Sequence, residues 1–537
     1  MNLSLTTWIS SPSDSRETSA LEKVFQRSRF LRFLPLLLCG SYTVFALFLG
    51  RHYAIGTYEN ADFYSRYAPD ADRIARGFFP TDSFTGPGYA LILRIVNPLF
   101  GNYFQAGRWI AAVAGGLCGL VAFNLFRRLF GVKVAFVALV LLFAAAEYSV
   151  LSIDPGSDLV FLLMCLCALS VFTNHRLSTL QRSVFPGIFA GYAYLTRYNG
   201  VFLPATFVVV ILLFDCFTLT WKERVRMSAI HGLTFLLVAS PWLWLNYRHR
   251  GSPFYNTNYL NIATYFFGYS TDSDGVQQAA KVFKGFGDVL THDPSGFITH
   301  YLRSLVDTVR RSLYSDFLVI PIGILGLLTA PIVLLKRFRR NAIVLLVAGG
   351  IYALVMSLNH WENRYYLFVK VLYIGFAAFL VVSVVDWMTS RGWLSVRLNF
   401  AVLGAIVLTL ASFSGLASGR EARSLVRDQP VGLREAASFL KSLPKGVPIV
   451  SRKPHLPYLG GHPQQSFPVV NSVDELRTEL SRSSAQYLVF DEVALALRPN
   501  LKMLGDPNNG ISWLHAEYVD IENSLVVYRV MLAASAG

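Results

Sequence analysis

The sequence predicts a polytopic α-helical membrane protein that ends in a small α/β domain. The chain has 537 residues, of which 53% are hydrophobic and only 15% are charged, and its mean hydropathy is +0.44. A water-soluble domain does not bury this much apolar surface. Apolar runs of the length that crosses a bilayer, about 17–25 residues, recur as far as residue 417.

These apolar runs predict about eleven membrane spans. The spans lie near residues 31–50, 107–126, 134–151, 157–173, 184–196, 200–217, 229–247, 316–335, 342–358, 365–386 and 398–417. Lys and Arg cluster in alternate short loops between them, and the clusters are Arg127–Lys133, Arg176–Arg182, Lys222–Arg226, Lys336–Arg340 and Arg391–Arg397. Because basic loops stay on the cytoplasmic side, the N-terminus is expected inside and the C-terminus outside.

This orientation divides the chain into three predicted parts. Residues 1–30 form a cytoplasmic tail, residues 31–417 the transmembrane domain, and residues 418–537 an extracytoplasmic domain. Two long loops of the transmembrane domain, 51–106 and 248–315, fall on the outer face. The acidic and polar clusters of the sequence therefore converge on one side of the membrane, as an outward-facing site requires.

The tail predicts short helices alternating with short strands. Leu433–Leu443 and Val473–Ser481 have apolar residues at helical spacing, whereas Val447–Val450, Tyr487–Phe490 and Leu525–Val530 are short apolar runs typical of strands. This alternation indicates a small α/β domain.

Charge and cysteine usage exclude several function classes. The formal net charge is +15, which would suggest nucleic acid in a soluble protein, but here much of the basic charge lies in the loops that set membrane orientation. The five cysteines lie in or beside apolar segments without a His or Cys cluster at metal spacing, so neither disulfides nor a zinc site is expected. These are Cys39, Cys118, Cys165, Cys167 and Cys216.

The first outer loop contains the most conspicuous cluster of acids and aromatics. This cluster runs from Tyr58 to Tyr89, and Glu59 and Asp62 are its first acids. Their spacing of three residues places them on one face of a helical turn. A carboxylate at the membrane surface can act as a general base toward an acceptor hydroxyl. Helix capping or plain solvation is the alternative interpretation.

Asp154 and Asp158 precede the fourth apolar segment, on either side of a Pro-Gly turn. Asp158 is predicted at a helix N-terminus, where an acid complements the helix dipole or caps the helix together with Ser157. The functional interpretation is a second carboxylate facing Asp62.

Arg197 follows an apolar stretch of only about thirteen residues, too short to cross a bilayer at about 1.5 Å per residue. This spacing predicts that Arg197 lies below the outer surface, where an ionisable residue is a functional candidate. A lipid phosphate is one possible partner, and a structural ion pair with one of the acids is the alternative.

His360, Glu362 and Arg364 lie in a short outer turn before another span. The planar guanidinium of Arg364 suits a phosphate, which it can bind through two oxygens. The neighbouring Trp361 and tyrosines also fit an interfacial aromatic belt.

Six landmarks follow one another along roughly residues 30–390. They are Asp62 with Tyr67, Ala71, Ala75 and Gly77, GPGYALIL leading to LFG, Ser157-Asp158, GxxxGxAxLTR from Gly187 to Arg197, the SPW…GSP run from Ser240 to Pro253, and ENRYY. In this order, the landmarks resemble those of the GT-C glycosyltransferases, which use polyprenyl-phosphate sugars and include the protein O-mannosyltransferases and the lipid A aminoarabinose transferases.

The resemblance implies a membrane-embedded transferase that moves a sugar from a polyprenyl phosphate to an acceptor hydroxyl, with inversion at the anomeric carbon. Asp62 would be the base, with Asp158 as a second site acid. Relatives often have adjacent acids in the first loop, whereas here two residues separate Glu59 from Asp62, so Glu59 is the alternative base. The expected substrate-binding residues are Arg197, Tyr67, Asp154, Arg364, Glu362 and His360, with the two arginines on the lipid phosphate.

The same resemblance sets the expected partners and location. The acceptor would be a glycan, a lipid or a protein, and no metal or other cofactor would be required. The protein would reside in the bacterial inner membrane with its C-terminal domain in the periplasm. Two alternatives are a flippase or transporter of lipid-linked glycans and a ligase or polymerase of such glycans. Transporters are typified by inverted repeats, and the sequence shows no repeat.

Overall fold

The computed structural model describes residue 25 and residues 27–58, 61–214, 219–270, 273–312, 319–336 and 343–531. It divides the chain into two compact units. The first unit contains the described residues up to His52 and those from Asp70 to Ser424. The second unit contains Tyr53–Pro69 together with the described residues from Leu425 onward. The first outer loop is therefore divided between the two units.

The helices that precede the C-terminal sheet are numbered here in chain order. They are α1 (Arg29–Leu49), α2 (Ala68–Ala75), α3 (Gly88–Val96), α4 (Tyr103–Phe130), α5 (Val132–Ala144), α6 (Ala146–Leu151), α7 (Asp158–Phe172), α8 (Thr179–Thr196), α9 (Phe202–Leu213), α10 (Trp221–Arg250), α11 (Asn258–Phe266), α12 (Ser273–Val282), α13 (Phe286–His292), α14 (Pro294–Ser312), α15 (Val319–Lys336), α16 (Ile343–Met356), α17 (Leu367–Ser390) and α18 (Val396–Arg427).

Five helical segments in the described ranges are long and apolar enough to cross a membrane, namely Arg29–His52, Tyr103–Phe130, Trp221–Arg250, Asn363–Ser390 and Val396–Arg427. The apolar surfaces of α4 and α17 are mostly buried against other helices, whereas those of α1, α10 and α18 are mostly exposed. Exposed apolar surface of this extent requires a lipid environment. The chain is therefore an integral membrane protein, and the count of about eleven spans stays a prediction.

Two predicted spans have different bounds in the structure. The run 134–151 is not one helix, because Ala145 is extended (φ −67°, ψ 129°) and separates α5 from α6. The run 184–196 is too short as predicted, because a capping box of Ser178 and Gln181 starts α8 at Thr179. With 18 residues, α8 rises about 27 Å, which is still less than the hydrocarbon core of about 30 Å, so the depth of Arg197 stays a prediction.

The second unit is built on a five-stranded mixed sheet of order β2-β1-β3-β5-β4. Its elements are α19 (Leu433–Lys441), β1 (Ile449–Ser451), α20 (His455–Gly460), β2 (Gln464–Ser466), α21 (Val473–Ser483), β3 (Tyr487–Phe490), α22 (Glu492–Leu497), β4 (Leu514–Asp520) and β5 (Leu525–Val530). β1 runs parallel to β2 and β3, while β5 pairs antiparallel with β3 and β4.

Both faces of this sheet are covered by apolar side chains. Along β3, Leu488 and Phe490 join one core cluster, whereas Tyr487 and Val489 join the other, as the alternation of side chains along a strand requires. β3 and β5 coincide with the predicted apolar runs, and β1 overlaps the predicted run Val447–Val450. β2 and β4 are not predicted, because QQS in β2 is polar and LHAEYVD in β4 mixes polar with apolar residues and forms no apolar run.

Candidate functional site

The first unit joins Asp158 and Arg197 in an ion pair. Asp158 is the first residue of α7, and the preceding Ser157 makes no side-chain capping bond. Arg197 ends α8 in an extended conformation (φ −148°, ψ 129°), and its Nη1 donates to Asp158 Oδ1. The Arg197 and Asp158 side chains are only 16% and 8% exposed. The structure therefore contains an ion pair between Arg197 and one of the acids named in the sequence analysis. This geometry is compatible with both a functional and a structural role.

The ring of Tyr365 brings the two predicted phosphate-binding arginines to one place. The Arg197 guanidinium lies 5.2 Å from the centroid of this ring, and the Arg364 guanidinium lies 5.3 Å from it. Both distances fit cation–π contacts, which hold a guanidinium against an aromatic face. Two positive charges are thus fixed around one tyrosine of the turn before α17.

Glu362 links the other two residues predicted in this turn. Its Oε2 accepts from Arg364 Nε at 2.6 Å, and its Oε1 lies 2.8 Å from His360 Nε2. Burial raises the pKa of the Glu362 carboxyl, but the His360 hydrogen bond and the charge and hydrogen bond of Arg364 outweigh it and lower the pKa to about 2. Glu362 is therefore ionised at neutral pH and fixes the direction of the Arg364 side chain.

Two buried tyrosines, whose role the sequence does not indicate, hold this turn. Tyr352 on α16 donates its hydroxyl to the backbone carbonyl of Tyr365, and Asn199 Nδ2 donates to the Tyr352 oxygen at 3.4 Å. The hydroxyl of Tyr366 lies 3.0 Å from that of Thr308 on α14. Tyr365 and Tyr366 belong to the ENRYY motif, whose aromatic residues the sequence analysis interprets as fitting an interfacial belt. Tyr352 lies in an apolar run, where no neighbouring residue indicates a role for its hydroxyl.

The end of α8, which presents Arg197, is packed against the Gly-Pro-Gly turn of the first outer loop. A Cβ added to Gly86 would collide with the Leu195 carbonyl oxygen, and one added to Gly88 would lie 2.8 Å from the Leu195 carbonyl carbon. Tyr192 also donates its hydroxyl to the Gly88 carbonyl at 2.8 Å. Only glycine permits this backbone-to-backbone approach, so the GPG motif positions the residue that follows α8.

Asp70 and Arg250 hold the loop that leads into this turn. The Asp70 carboxylate accepts the backbone N–H groups of Thr81 and Asp82 at 2.7 and 3.0 Å. Burial raises the pKa of Asp70, although these N–H bonds oppose the shift. Arg250 Nη2 donates to the carbonyls of Thr81 and Asp82 at 3.0 and 2.9 Å. The amide and carbonyl sides of the loop therefore have different anchors.

The predicted base lies in the second unit. Asp62 directly precedes a π-helical turn, Phe63–Tyr67, and its Oδ1 lies 3.4 Å from Arg66 Nη1 with a quarter of its side chain exposed. Such π-helical turns are frequent at functional sites. Tyr67, a predicted substrate-binding residue, is 6% exposed. Glu59, the alternative base, lies outside the described residues.

Asp154 lies in the first unit, half-buried in the turn before α7. Its backbone N–H donates to the Val150 carbonyl at 3.0 Å, which makes it part of the turn that presents Asp158. Among the residues that the structure describes, no three His, Cys, Asp or Glu side chains are grouped closely enough to hold a metal ion.

Comparisons with known proteins identify the fold of the chain. Residues 85–245 match the family model of dolichyl-phosphate-mannose-protein mannosyltransferases. A comparison with curated proteins found no match. Among solved structures, the chain is similar to ArnT from Cupriavidus metallidurans bound to undecaprenyl phosphate, at 16% identity with a TM-score of 0.56, over 94% of this chain and 99% of ArnT.

Two further similar structures are oligosaccharyltransferases of Archaeoglobus fulgidus. One is AglB in complex with an inhibitory peptide and a dolichol-phosphate, with 14% identity and a TM-score of 0.57 over 86% of this chain and 70% of AglB. The other is an apo form, with 14% identity and a TM-score of 0.60 over 87% of this chain and 70% of that one. The chain therefore has the fold of the GT-C membrane glycosyltransferases, as the order of its sequence motifs predicts.

Proposed function

We propose that the protein is an integral-membrane glycosyltransferase that moves a sugar from a polyprenyl-phosphate donor to an acceptor hydroxyl on the outer face of the membrane. Asp62 is the proposed general base, with Glu59 as the alternative, and Asp158 is the second acid of the site. We further propose a bacterial inner-membrane location with the N-terminus in the cytoplasm and the second unit in the periplasm. The single observation that carries the proposal is the placement of Arg197 and Arg364 around Tyr365.

These two guanidinium groups suit the phosphate of a lipid-linked sugar. Each is held by its own carboxylate, Arg197 by Asp158 and Arg364 by Glu362, and both contact the ring of Tyr365. Positive charge fixed in advance stabilises an anion without reorganising in the transition state. The similar ArnT and AglB structures contain undecaprenyl phosphate and a dolichol-phosphate, which supports a lipid phosphate as the ligand here.

The proposed reaction needs one proton transfer and one displacement. The Asp62 carboxylate takes the proton of the acceptor hydroxyl as its oxygen attacks the anomeric carbon. The bond between that carbon and the phosphate oxygen breaks, and polyprenyl phosphate leaves with the electron pair. The leaving group is already an anion, so positive charge is needed more than an acid. Attack opposite the leaving phosphate inverts the anomeric centre, and the scheme assigns no step to a metal.

The donor is expected to be membrane-bound through its polyprenyl chain, which explains why the arginines belong to an apolar helical unit. The acceptor is a glycan, a lipid or a protein. A ligase or polymerase of lipid-linked glycans would use the same arginines for the same phosphate. A flippase would bind the phosphate as well, but it would form no glycosidic bond. The experiment therefore measures the formation of the glycosidic bond.

The test is sugar transfer in membranes from a radiolabelled panel of polyprenyl-phosphate sugars, with and without a chelator. We expect labelled product from the wild type with at least one donor. Arg197→Gln and Arg364→Gln should each lower the yield at least about tenfold at equal expression. Arg482→Gln is the matched control, since this arginine also pairs with a carboxylate, 2.7 Å away, but is 71% exposed. Lipid crossing of vesicles without transfer from any donor would contradict the proposal and favour a flippase.

A further inference from the structure

The segment that contains Asp62 is bound by side chains from the far end of the chain. Gln429 Oε1 accepts the backbone N–H groups of Ala54 and Ile55 at 2.6 and 3.2 Å. The same side-chain amide donates through its Nε2 to the Val426 carbonyl at 2.6 Å, which fixes which end of the amide faces the segment. More than 370 residues separate the partners in sequence, so this contact belongs to tertiary structure and is not a local turn.

Two further side chains bind the carbonyl groups of the next residues. His455 Nε2 lies 3.0 Å from the Thr57 carbonyl oxygen, and Lys453 Nζ donates to the Tyr58 carbonyl at 2.7 Å. His455 is fully buried. Gln429, Lys453 and His455 thus bind backbone groups of four of the five residues from Ala54 to Tyr58, and we call these three side chains the first-loop clamp.

Aromatic packing continues the anchoring beyond the clamp. The Tyr64 ring lies 4.7 Å from the His455 ring and 5.1 Å from the Tyr458 ring, and the Tyr58 ring lies 5.6 Å from His455. Phe63 is 0% and Tyr64 2% exposed. Asp62 therefore lies between two anchored stretches, with the clamp before it and buried rings after it.

We infer that the second unit positions Asp62, with Gln429, Lys453 and His455 as positioning residues. This inference rests on the proposed function, because it takes Asp62 as the reacting carboxylate. A surface loop needs no such clamp, and fixing each backbone residue costs about 1–2 kcal/mol of conformational entropy. A base must be held to within about 0.5 Å of its productive geometry, and displacement by about 1 Å can cost a hundredfold in rate.

Hydrogen exchange tests the clamp without any reference to activity. We expect Gln429→Leu in the purified full-length protein to speed exchange of the Ala54 and Ile55 amides at least about fivefold, the effect of losing one hydrogen bond. Gln486→Leu, which changes an exposed glutamine of the same unit, should leave these amides unchanged. Unchanged exchange in Gln429→Leu would overturn the clamp.

Two variants of Lys453, one neutral and one that keeps the positive charge, test positioning. Lys453→Met removes the donor to Tyr58 at nearly constant side-chain length, and we expect kcat to fall about tenfold with the KM for the donor unchanged. Lys453→Arg should restore most of kcat, because it can still donate to the Tyr58 carbonyl. Lys445→Met is the matched control on an exposed lysine of the same unit. An equal midpoint of thermal unfolding for Lys453→Met and the wild type excludes misfolding as the cause of a lower kcat. If the midpoint of Lys453→Met is lower, recovery of kcat in Lys453→Arg shows whether the donor to the Tyr58 carbonyl is what positions the base.

The two readouts separate failure of the inference from failure of the proposed function. Faster exchange with unchanged kcat in an active enzyme would overturn the positioning role and leave glycosyl transfer intact. A wild type without transfer from any donor would overturn the function and with it the positioning of a base, whereas the exchange data would still show whether the clamp binds the segment.

Discussion

Asp158, the first residue of α7, pairs with Arg197, the residue that ends α8. The contact fixes the ends of two apolar helices to each other through opposite charges that are largely withdrawn from solvent. Removing one partner of such a pair leaves an uncompensated charge, which costs more than removing both. The pair is therefore expected to contribute to folding and to function together.

A double-mutant cycle measures this coupling. Asp158→Asn and Arg197→Gln should each lower the free energy of unfolding by about 3 kcal/mol, and the double variant should lose clearly less than the sum. Thermal or denaturant unfolding in detergent gives the values. The exposed pair Asp72–Arg76, whose side chains are 42% and 63% exposed, is the control and should show coupling near zero. Additive losses at Asp158 and Arg197 would contradict the pairing.

The Gly-Pro-Gly turn gives a second prediction. Gly86→Ala should destabilise the protein by about 1–3 kcal/mol, because its Cβ would collide with the Leu195 carbonyl. Since Leu195 lies two residues before Arg197, the variant should also raise the KM for the lipid-linked donor. Gly404→Ala in α18, where no atom lies within 4 Å of an added Cβ, should be neutral or stabilise by up to about 1 kcal/mol. Equal behaviour of the two variants would refute the close approach.

The Glu362 carboxylate should act through Arg364. Because its folded pKa is lowered to about 2 from 4.5, its contribution to stability is full above pH 4.5 and is lost as the pH falls through about 2. Across the range of an enzyme assay the carboxylate is ionised, so Glu362→Gln should raise the donor KM about tenfold without adding a pH dependence. Glu479→Gln, in the exposed pair with Arg482, should leave KM unchanged. An unaltered KM in Glu362→Gln would exclude this role.

His455 makes the second unit sensitive to acid. Burial, with a smaller contribution from the Lys453 charge, lowers the His455 pKa from 6.5 to about 4 despite the hydrogen bond to Thr57. Tyr58 and Tyr64 are the other titratable groups whose rings contact it. The unfolded chain takes up the proton first, so stability is full above pH 6.5 and falls by about 3 kcal/mol as the pH drops to 4.

Hydrogen exchange in the second unit, followed from pH 7 to pH 4, measures this loss after correction for the intrinsic exchange rate. His455→Gln retains a donor for the Thr57 carbonyl but has no group that titrates in this range, so the stability of the second unit should change less between pH 7 and pH 4 than in the wild type. His515→Gln, at an exposed position of the same unit, should leave it as in the wild type. A wild-type profile in His455→Gln would show that another group is responsible.

Local sequence patterns predict several of the residues that the structure brings together. Depth, charge and spacing singled out Asp158, Arg197, Glu362 and Arg364, and the structure pairs them two by two. The pattern gave no sign of Tyr365 as the ring between the arginines, since an aromatic next to a span also fits the membrane interface.

Other contacts depend on how distant elements pack, which periodicity cannot report. Tyr352 reads as one more apolar residue of a span, yet its hydroxyl holds the site turn. Thr57 and His455 are separated by 398 positions, and their contact forms only when Tyr53–Pro69 packs with the residues from Leu425 onward in the second unit. Likewise, α8 proved longer than its apolar run because its polar first turn is held by a capping box.

The most direct test of the central claim compares sugar transfer by the wild type with transfer by Asp62→Asn in membranes at equal expression. Asp72→Asn, at an exposed acid of the same outer loop, is the matched control. The account predicts labelled glycoside from the wild type and Asp72→Asn, and a loss of at least about a hundredfold in Asp62→Asn. Full transfer by Asp62→Asn, with or without a loss in Glu59→Gln, would contradict Asp62 as the base.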